Sequence, residues 1–174
     1  MTAFPALTQL PFFFPFLPRT RSSTYKFDGC NGGNYATAFS YVKSAGGITF
    51  ADLYPYNIPT TTCDNTKKDY TVTVTNWIRL ADEQAMINYV LAKGTLSVVV
   101  DATLWGPYRS GIFTNCGSTL SINHAVNIVG VNVDEGYWII RNSWSTWWGD
   151  KGYMKLALVR IHASISSNLY LVPP

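Results

Sequence analysis

The segment at residues 121–148, SINHAVNIVGVNVDEGYWIIRNSWSTWW, constrains the fold of this 174-residue chain more than any other. Its two apolar runs are rich in β-branched and aromatic residues, and the tetrad at 133–136 between them is a turn signal. This pattern predicts an antiparallel hairpin. Such a hairpin brings the start of its first strand beside the end of its second, so we expect His124 and Asn142 at the same edge.

A histidine and an asparagine at one edge form half of a catalytic site. The Asn142 side-chain oxygen can accept a hydrogen bond from one ring nitrogen of His124, which leaves the other nitrogen free to take a proton from a nucleophile. The alternative is a core histidine bonded to backbone, which is the commoner state of a lone histidine. The sequence of the whole stretch favours the catalytic interpretation.

The runs NHAVNIVG and YWIIRNSWSTWWGDKGYMKL resemble the His and Asn blocks of the papain-like cysteine peptidases, the family that includes the cathepsins. Upstream, DGCNGGNYATAFSYVKSAGGI followed by LYPY is similar to that family's segment between the catalytic cysteine and the second domain. The resemblance covers residues 28 to about 156. It implies an α+β, two-lobe fold with a truncated helical lobe at 28–60 and an essentially complete β-rich lobe at 61–174.

The composition is compatible with that fold. An apolar content of 47% suffices for one ordinary core, or for one and a half domains of a larger two-domain protein. The net charge of +3, spread without runs, gives no reason to expect nucleic acid or a membrane as partner. No apolar run approaches the roughly 20 residues of a spanning helix, and neither a metal nor a cofactor is expected.

The first 27 residues resemble nothing in the family, and we expect a disordered or extended apolar tail that is foreign to it. Arg19 and Arg21 follow the apolar run, whereas a secretory signal has its positive charge in front. Relatives are typically lysosomal or secreted, but without a credible signal peptide the location stays unknown. The prolines that would break a helix here are Pro5, Pro11, Pro15 and Pro18.

Several segments outside the hairpin have clear secondary-structure signals. Asn34 is expected to cap an amphipathic helix that ends at Gly46 and Gly47. A second helix is predicted to begin at Asp82 or one of its neighbours and to end at Gly94, followed by a buried strand at 96–100. The alternating run at 70–80, YTVTVTNWIRL, predicts a further strand. An irregular loop is expected around Trp105, Tyr108 and Phe113.

The resemblance implies roles for individual residues. His124 would be the base, Asn142 its orienter, and Trp144 the tryptophan that shields their hydrogen bond from water. The backbone of Gly32 and Gly33 would border the substrate cleft and bind a peptide as a strand does, although a Gly-Gly pair alone is more typical of a plain turn. The pocket for the second side chain before the scissile bond, with walls that favour an apolar group, would be lined by Asn34, Tyr35, Val99, Ile122, Asn123 and Ala125.

Two positions depart from the family. Ser145 stands where the family has glycine, a change that is expected to tighten the loop. His162 has no family counterpart and is expected at the surface.

The family's nucleophile is a cysteine in a C-G-[SA]-C-[WY] context, about 130–150 residues upstream of the His and Asn. That signature does not occur in this sequence, and Gln9 lacks the context of the family's oxyanion glutamine. We therefore expect a base and an orienter without a nucleophile, and a chain that is inactive alone.

The three cysteines stand elsewhere, at Cys30, Cys63 and Cys116. In the family these positions are halves of three separate disulfides, and none of the partner cysteines is visible here. We expect unpaired thiols, or one bridge such as Cys30 with Cys63. Replacement of the nucleophile by one of these thiols is the remaining alternative.

Three hypotheses follow. In the first, the chain is a fragment of a papain-like endopeptidase whose full form cleaves peptide bonds, with peptide or protein substrates and protein inhibitors as partners. In the second, it is a non-catalytic member that binds peptides or regulates a peptidase. In the third, it is a degenerate product without a stable fold.

Overall fold

The computed structural model describes residues 33–50, 53–54, 66, 72–115, 117 and 121–158. The chain divides into two compact units, Met1–Asn76 and Trp77–Pro174. The expectations for residues 1–27, for Gly32, for the three cysteines and for His162 lie outside the described residues. In the described part, no helix is long and apolar enough to cross a membrane.

The first unit is built around helix α1, Tyr35–Ala45. Its N-cap is Asn34, whose side-chain oxygen accepts a hydrogen bond from the Ala36 N–H, and its C-cap is Gly46 at φ 91°. The helix buries one apolar face, made of Ala38, Phe39 and Val42. The predicted helix and both of its ends are therefore confirmed.

The second unit begins with helix α2, Glu83–Ala92, which packs against strand β3. Asp82 caps it by accepting a hydrogen bond from the Ala85 N–H, as the sequence predicts. Met86 faces inward and is 1% exposed, and the partly buried Ile87, Tyr89 and Val90 also pack against the core of the unit.

A five-stranded sheet forms the body of the second unit within the described residues, in the order β1-β3-β4-β5-β2. Strands β1, β3, β4 and β5 pair antiparallel, and β2 adds to β5 in parallel. The predicted hairpin is the β3–β4 pair at the centre of this sheet, joined through a turn at 133–136. The strands are β1 Leu96–Val100, β2 Ile112–Phe113, β3 His124–Asn132, β4 Tyr137–Arg141 and β5 Tyr153–Ala157.

The core of this unit lies on one face of the sheet. Alternate residues of the strands point into it, and the aromatic loop between β1 and β2 contributes Trp105 and Tyr108. The fully buried side chains include Trp105, Trp138, Met86, Leu96, Ile128, Ile140, Met154, Leu156 and Val98. An α+β unit with a β-rich body is thus confirmed as the fold.

The strand predicted at 70–80 is wrong over the described residues 72–80. Val72 forms an isolated bridge with Ile48, and the residues that follow it are irregular. Val74 is buried while its neighbours on both sides are exposed, so the alternation of threonine and valine is real. Alternation alone does not make a strand, because a strand also needs a neighbour with which to exchange backbone hydrogen bonds.

Several backbone hydrogen bonds close the loop between β4 and β5. The Gly152 N–H donates to the Trp148 carbonyl at 2.8 Å, and the Asp150 N–H donates to the Tyr153 carbonyl at 3.0 Å. Gly149 lies inside this turn at φ 60°, and a Cβ on it would overlap the carbonyl oxygen of Tyr153. Only glycine therefore fits there, whereas Gly136 in the hairpin turn has an equally positive φ of 72° and nothing within 4 Å.

We expect Gly149→Ala to destabilise the chain by roughly 3 kcal/mol or more, because backbone overlap adds to left-handed strain. The matched control Gly136→Ala has the strain without the overlap, so it should cost about 1–2 kcal/mol. Urea unfolding of both variants measures the difference. Equal losses of stability in the two variants would show that the β4–β5 loop accommodates the added Cβ without extra cost.

Candidate active site

The register of the central hairpin brings His124 and Asn142 together. Asn127 pairs with Arg141, so continuing the ladder by one residue would set Asn142 opposite Val126. Val126 and His124 are two residues apart on β3 and therefore share a face of the sheet. The Asn142 backbone N–H also donates to the Gly152 carbonyl at 3.0 Å, so this residue is bonded to the far end of the β4–β5 loop.

A hydrogen bond of 2.8 Å joins the His124 Nε2 and the Asn142 Oδ1. The Ser143 backbone N–H donates to the same oxygen at 2.7 Å. Because a backbone N–H is always a donor, the atom that faces it must be the amide oxygen and not the nitrogen. His124 must then donate from Nε2, which leaves the lone pair of Nδ1 available to accept a proton in the neutral ring.

Tryptophans surround this pair. Trp144 stacks on the His124 ring with centroids 4.9 Å apart, and Trp105 meets the same ring edge-on at 6.5 Å. Behind them Trp148 packs against both tryptophans and donates its indole N–H to the Trp105 carbonyl at 3.1 Å. Asn142 is only 7% exposed. Indole surfaces thus pack against the imidazole. A hydrogen bond to a side-chain amide is stronger in such surroundings than in solvent.

Trp144 is itself 37% exposed, and the neighbouring Trp147 is 92% exposed. The Trp144 ring therefore presents one face to the imidazole and leaves part of its surface in contact with solvent. Trp144 is therefore not a fully buried core residue, and its part in shielding the hydrogen bond from water stays a prediction.

Ser145, directly after Trp144, has φ 72°. That region favours glycine, because the Cβ of any other residue crowds the following carbonyl. The serine hydroxyl accepts a hydrogen bond of 3.4 Å from the Trp147 N–H, and the serine carbonyl accepts one of 3.3 Å from the Trp148 N–H. The expected tightening of the loop is thus accompanied by backbone strain.

Asp101 forms a second polar cluster at the end of β1. Its Oδ1 accepts from the Thr103 N–H and from the Thr103 hydroxyl, and its Oδ2 accepts from the Ser121 N–H at 2.8 Å. The Thr103 hydroxyl first, and then the Ser121 N–H, hold the pKa of Asp101 below its ordinary value. The Asp101 carboxylate is therefore ionised in the folded protein at neutral pH.

Four of the residues expected to line a substrate pocket lie beside the histidine strand. Val99 on β1 pairs with Ala125 on β3, and alternation directs both to the sheet face opposite the core. Ile122 is 43% exposed, and Asn123 is exposed as well. The structure therefore brings the Val99–Ala125 pair together and leaves these four side chains accessible, as a binding surface requires.

The remaining pocket candidates belong to the first unit. Gly33 and Asn34 are exposed, and the Asn34 side chain is engaged as the cap of α1. Tyr35 stacks on Phe39 with centroids 6.3 Å apart, and burial raises the pKa of its phenol, which keeps it neutral. A part for these three residues in substrate binding stays a prediction.

Sequence reasoning did not identify the part that Trp105 and Asp101 play near His124. Trp105 was expected only within an aromatic loop, and its approach to His124 depends on a turn closed by the Trp105 N–H donating to Ala102. Asp101 had a usable signal, since Asp-x-Thr directly after an apolar strand is typical of a side-chain-capped turn. Among the described residues, no three His, Cys, Asp or Glu side chains are grouped to hold a metal ion.

Comparison with known proteins identifies the class. A family model described as papain family cysteine protease matches residues 20–172. The match begins before residue 28, where the motifs of the sequence analysis begin, and extends almost to the end of the sequence. The chain belongs to the papain family of cysteine proteases.

Individual relatives agree with this assignment. The chain is 38% identical to the thiol protease aleurain of Arabidopsis thaliana, over 75% of this chain and 38% of that protein. It is 42% identical to cathepsin L 1 of Paramecium tetraurelia, over 78% of this chain and 42% of that protein. The chain thus spans about two fifths of the length of these curated relatives.

Solved structures show the same fold. The bromelain protease from Ananas comosus, in complex with the E64 inhibitor, superposes with a TM-score of 0.70 at 32% identity. The match covers 83% of this chain and 71% of that one. The fold is therefore papain-like.

Replacing Ser145 by glycine should relieve the left-handed strain. The gain of about 1–2 kcal/mol from relieving the strain is partly offset by the greater freedom of an unfolded glycine, so we expect a net stabilisation of about 0.5 kcal/mol. Ser145→Ala is the matched control, because it keeps the Cβ and removes only the hydroxyl. A gain in urea midpoint for alanine as large as that for glycine would contradict the role of strain.

Acid should weaken the fold partly through Asp101. Its folded pKa is lowered, so its stabilising effect is complete above the ordinary carboxyl pKa and is lost as pH falls through the folded value. Between about pH 6 and about pH 3, Asp101→Asn should be less stable than the parent but lose stability less steeply. Urea unfolding across this range tests it, with the exposed Asp134→Asn as control. Parallel pH profiles for parent and Asp101→Asn would contradict it.

Proposed function

We propose that this chain provides the base and the orienting amide of a cysteine-type peptidase that hydrolyses peptide bonds. The observation that carries the proposal is the 2.8 Å bond from the His124 Nε2 to the Asn142 Oδ1 under the Trp144 ring. This bond holds the ring in one tautomer, with the Nδ1 lone pair free. That is the arrangement in which an imidazole removes a proton from a thiol and later returns it to the leaving amine.

The nucleophile is the part that this sequence does not offer in its usual form. Papain-type catalysis needs a cysteine in the C-G-[SA]-C-[WY] context, and none of the three cysteines of this sequence has it. We propose that the 174 residues alone do not turn over substrate. Full activity would require a protein in which the same residues are combined with a cysteine segment of this type.

The substrates would be peptides or proteins, as the family implies. The exposed Ala125 and the partly buried Val99, together with Ile122, offer apolar walls beside the histidine strand. An apolar side chain on the substrate would bury against them, which favours such residues at the second position before the scissile bond. Asn123 would line the same pocket. Gly32, Gly33, Asn34 and Tyr35 stay predicted substrate-binding residues, and protein inhibitors would compete with the substrate.

A second candidate function follows from the missing cysteine signature. A chain with the cleft residues but without a nucleophile would bind peptides and regulate a peptidase without cutting. The two functions differ in one measurable property, which is turnover when the cysteine segment is supplied.

The test compares variants of a protein in which these residues follow a papain-type cysteine segment, with a fluorogenic dipeptide as substrate. We expect His124→Ala to lower kcat/KM by about 10²–10⁴-fold, because it removes the general base. Asn142→Ala should cost less, since the ring stays but is no longer oriented. His162→Ala is the matched control and should leave the rate unchanged.

The 174-residue chain alone should show neither turnover nor labelling by a thiol-alkylating peptide inhibitor. Turnover that the inhibitor blocks would mean that Cys30, Cys63 or Cys116 reaches His124, and the proposal of a missing nucleophile would be wrong. Peptide binding without turnover in the extended protein would favour the regulatory function.

A further inference from the structure

The buried carboxylate of Asp101 lies at the point where β1 ends and the histidine strand begins. Val100, the last residue of β1, is the pairing partner of His124. Asp101 follows it and is 8% exposed. A carboxylate with so little exposed surface needs hydrogen-bond donors that compensate its charge.

Those donors come from two segments far apart in sequence. The Thr103 N–H and hydroxyl belong to the turn after β1, and the Ser121 N–H belongs to the segment before β3. Asn123 joins both segments again, since its Nδ2 donates to the Thr103 hydroxyl at 2.9 Å and its Oδ1 accepts from the Ala102 N–H at 3.0 Å. The carboxylate thus fastens the approach to His124 onto the end of the neighbouring strand.

The same turn determines what touches the imidazole from the side. The Trp105 N–H donates to the Ala102 carbonyl at 3.0 Å, and the Trp105 ring meets the His124 ring edge-on. On the other side of the turn, the Asn123 N–H donates to the Val100 carbonyl at 3.1 Å, directly before His124. One carboxylate therefore supports both the backbone that carries the imidazole and the turn that carries the indole beside it.

We infer that Asp101 is a positioning residue for His124, which fixes the ring so that its Nε2–H stays directed at Asn142. This inference rests on the proposed function of His124 as the base. Asp101 does not touch the reacting atoms, and it acts through Ser121, Thr103 and Asn123. A bond of 2.8 Å between two side chains is easily lost to a small rotation of the ring, so the backbone that carries the ring must be held.

The competing explanation is that Asp101 only adds to the stability of the fold. In that case its removal would loosen all protected groups of the second unit in proportion. A positioning role predicts that the His124 Nε2–H loses much more protection than the backbone amides of the sheet do. The two explanations are separated by comparing one ring proton with many backbone protons in the same sample.

The chain has two histidines, so ¹⁵N-histidine labelling of the 174-residue protein gives two imidazole signals, and His162→Gln assigns them. In the parent we expect a His124 Nε2–H that exchanges slowly with water and loses its protection in Asn142→Ala. In Asp101→Asn this exchange should accelerate about tenfold or more beyond any acceleration of the β4 and β5 backbone amides, which reports the loss of global stability. The exposed Asp134→Asn removes the same charge elsewhere and should have no effect.

Thr103→Val is the second variant, because at an exposed site it removes the hydroxyl that donates to Asp101 and accepts from Asn123, and it retains the carboxylate. If Asp101→Asn does not fold, a faster ring-proton exchange in Thr103→Val supports the inference, and parent-like exchange overturns it. In a folded Asp101→Asn, parent-like exchange or an equal acceleration of ring and sheet protons overturns it as well. If the parent shows no protected His124 Nε2–H that depends on Asn142, the proposed base and orienter fail first, and the inference fails with them.

Discussion

The antiparallel pairing of β3 and β4 is the constraint on which the second unit depends. These strands lie at the centre of the sheet, and β1 and β5 pair with their outer edges. Because side chains alternate between faces, the register sets which residues reach the core. With Ile128 opposite Ile140, both side chains are fully buried, and His124 and Asn142 fall on one face at the end of the pair. A slip of one residue would separate the histidine from the asparagine.

The pairing brings the two side chains near each other, and their surroundings turn nearness into a defined hydrogen bond. The Ser143 N–H fixes the orientation of the Asn142 amide, and the amide then fixes the protonated nitrogen of His124. Trp144 and Trp105 pack against the ring from two directions. The orientation of the imidazole is thus fixed within the folded unit itself.

The described part of this half-site lies wholly within the second unit, Trp77–Pro174. Its polar contacts run from the end of β1, through β3, to the loop after β4, and β1, β3 and β4 belong to the same sheet. The His124–Asn142 pair is therefore assembled from elements of the second unit alone. The loop after β4 contains two constrained positions, since Ser145 has a left-handed backbone and Gly149 admits no side chain.

The sequence by itself determined the local structure and the family. Asn34 and Asp82 announce the starts of both helices, and turn residues between two apolar runs announce the central hairpin, because caps and tight turns depend on neighbours in the chain. Only the tertiary structure decided the contacts between distant residues. Among the described residues it formed no strand at 73–80, added β2 beside β5 in parallel, and brought Trp105 and Asp101 to the histidine strand. Such contacts depend on how elements pack in space, and no local pattern of residues encodes that packing.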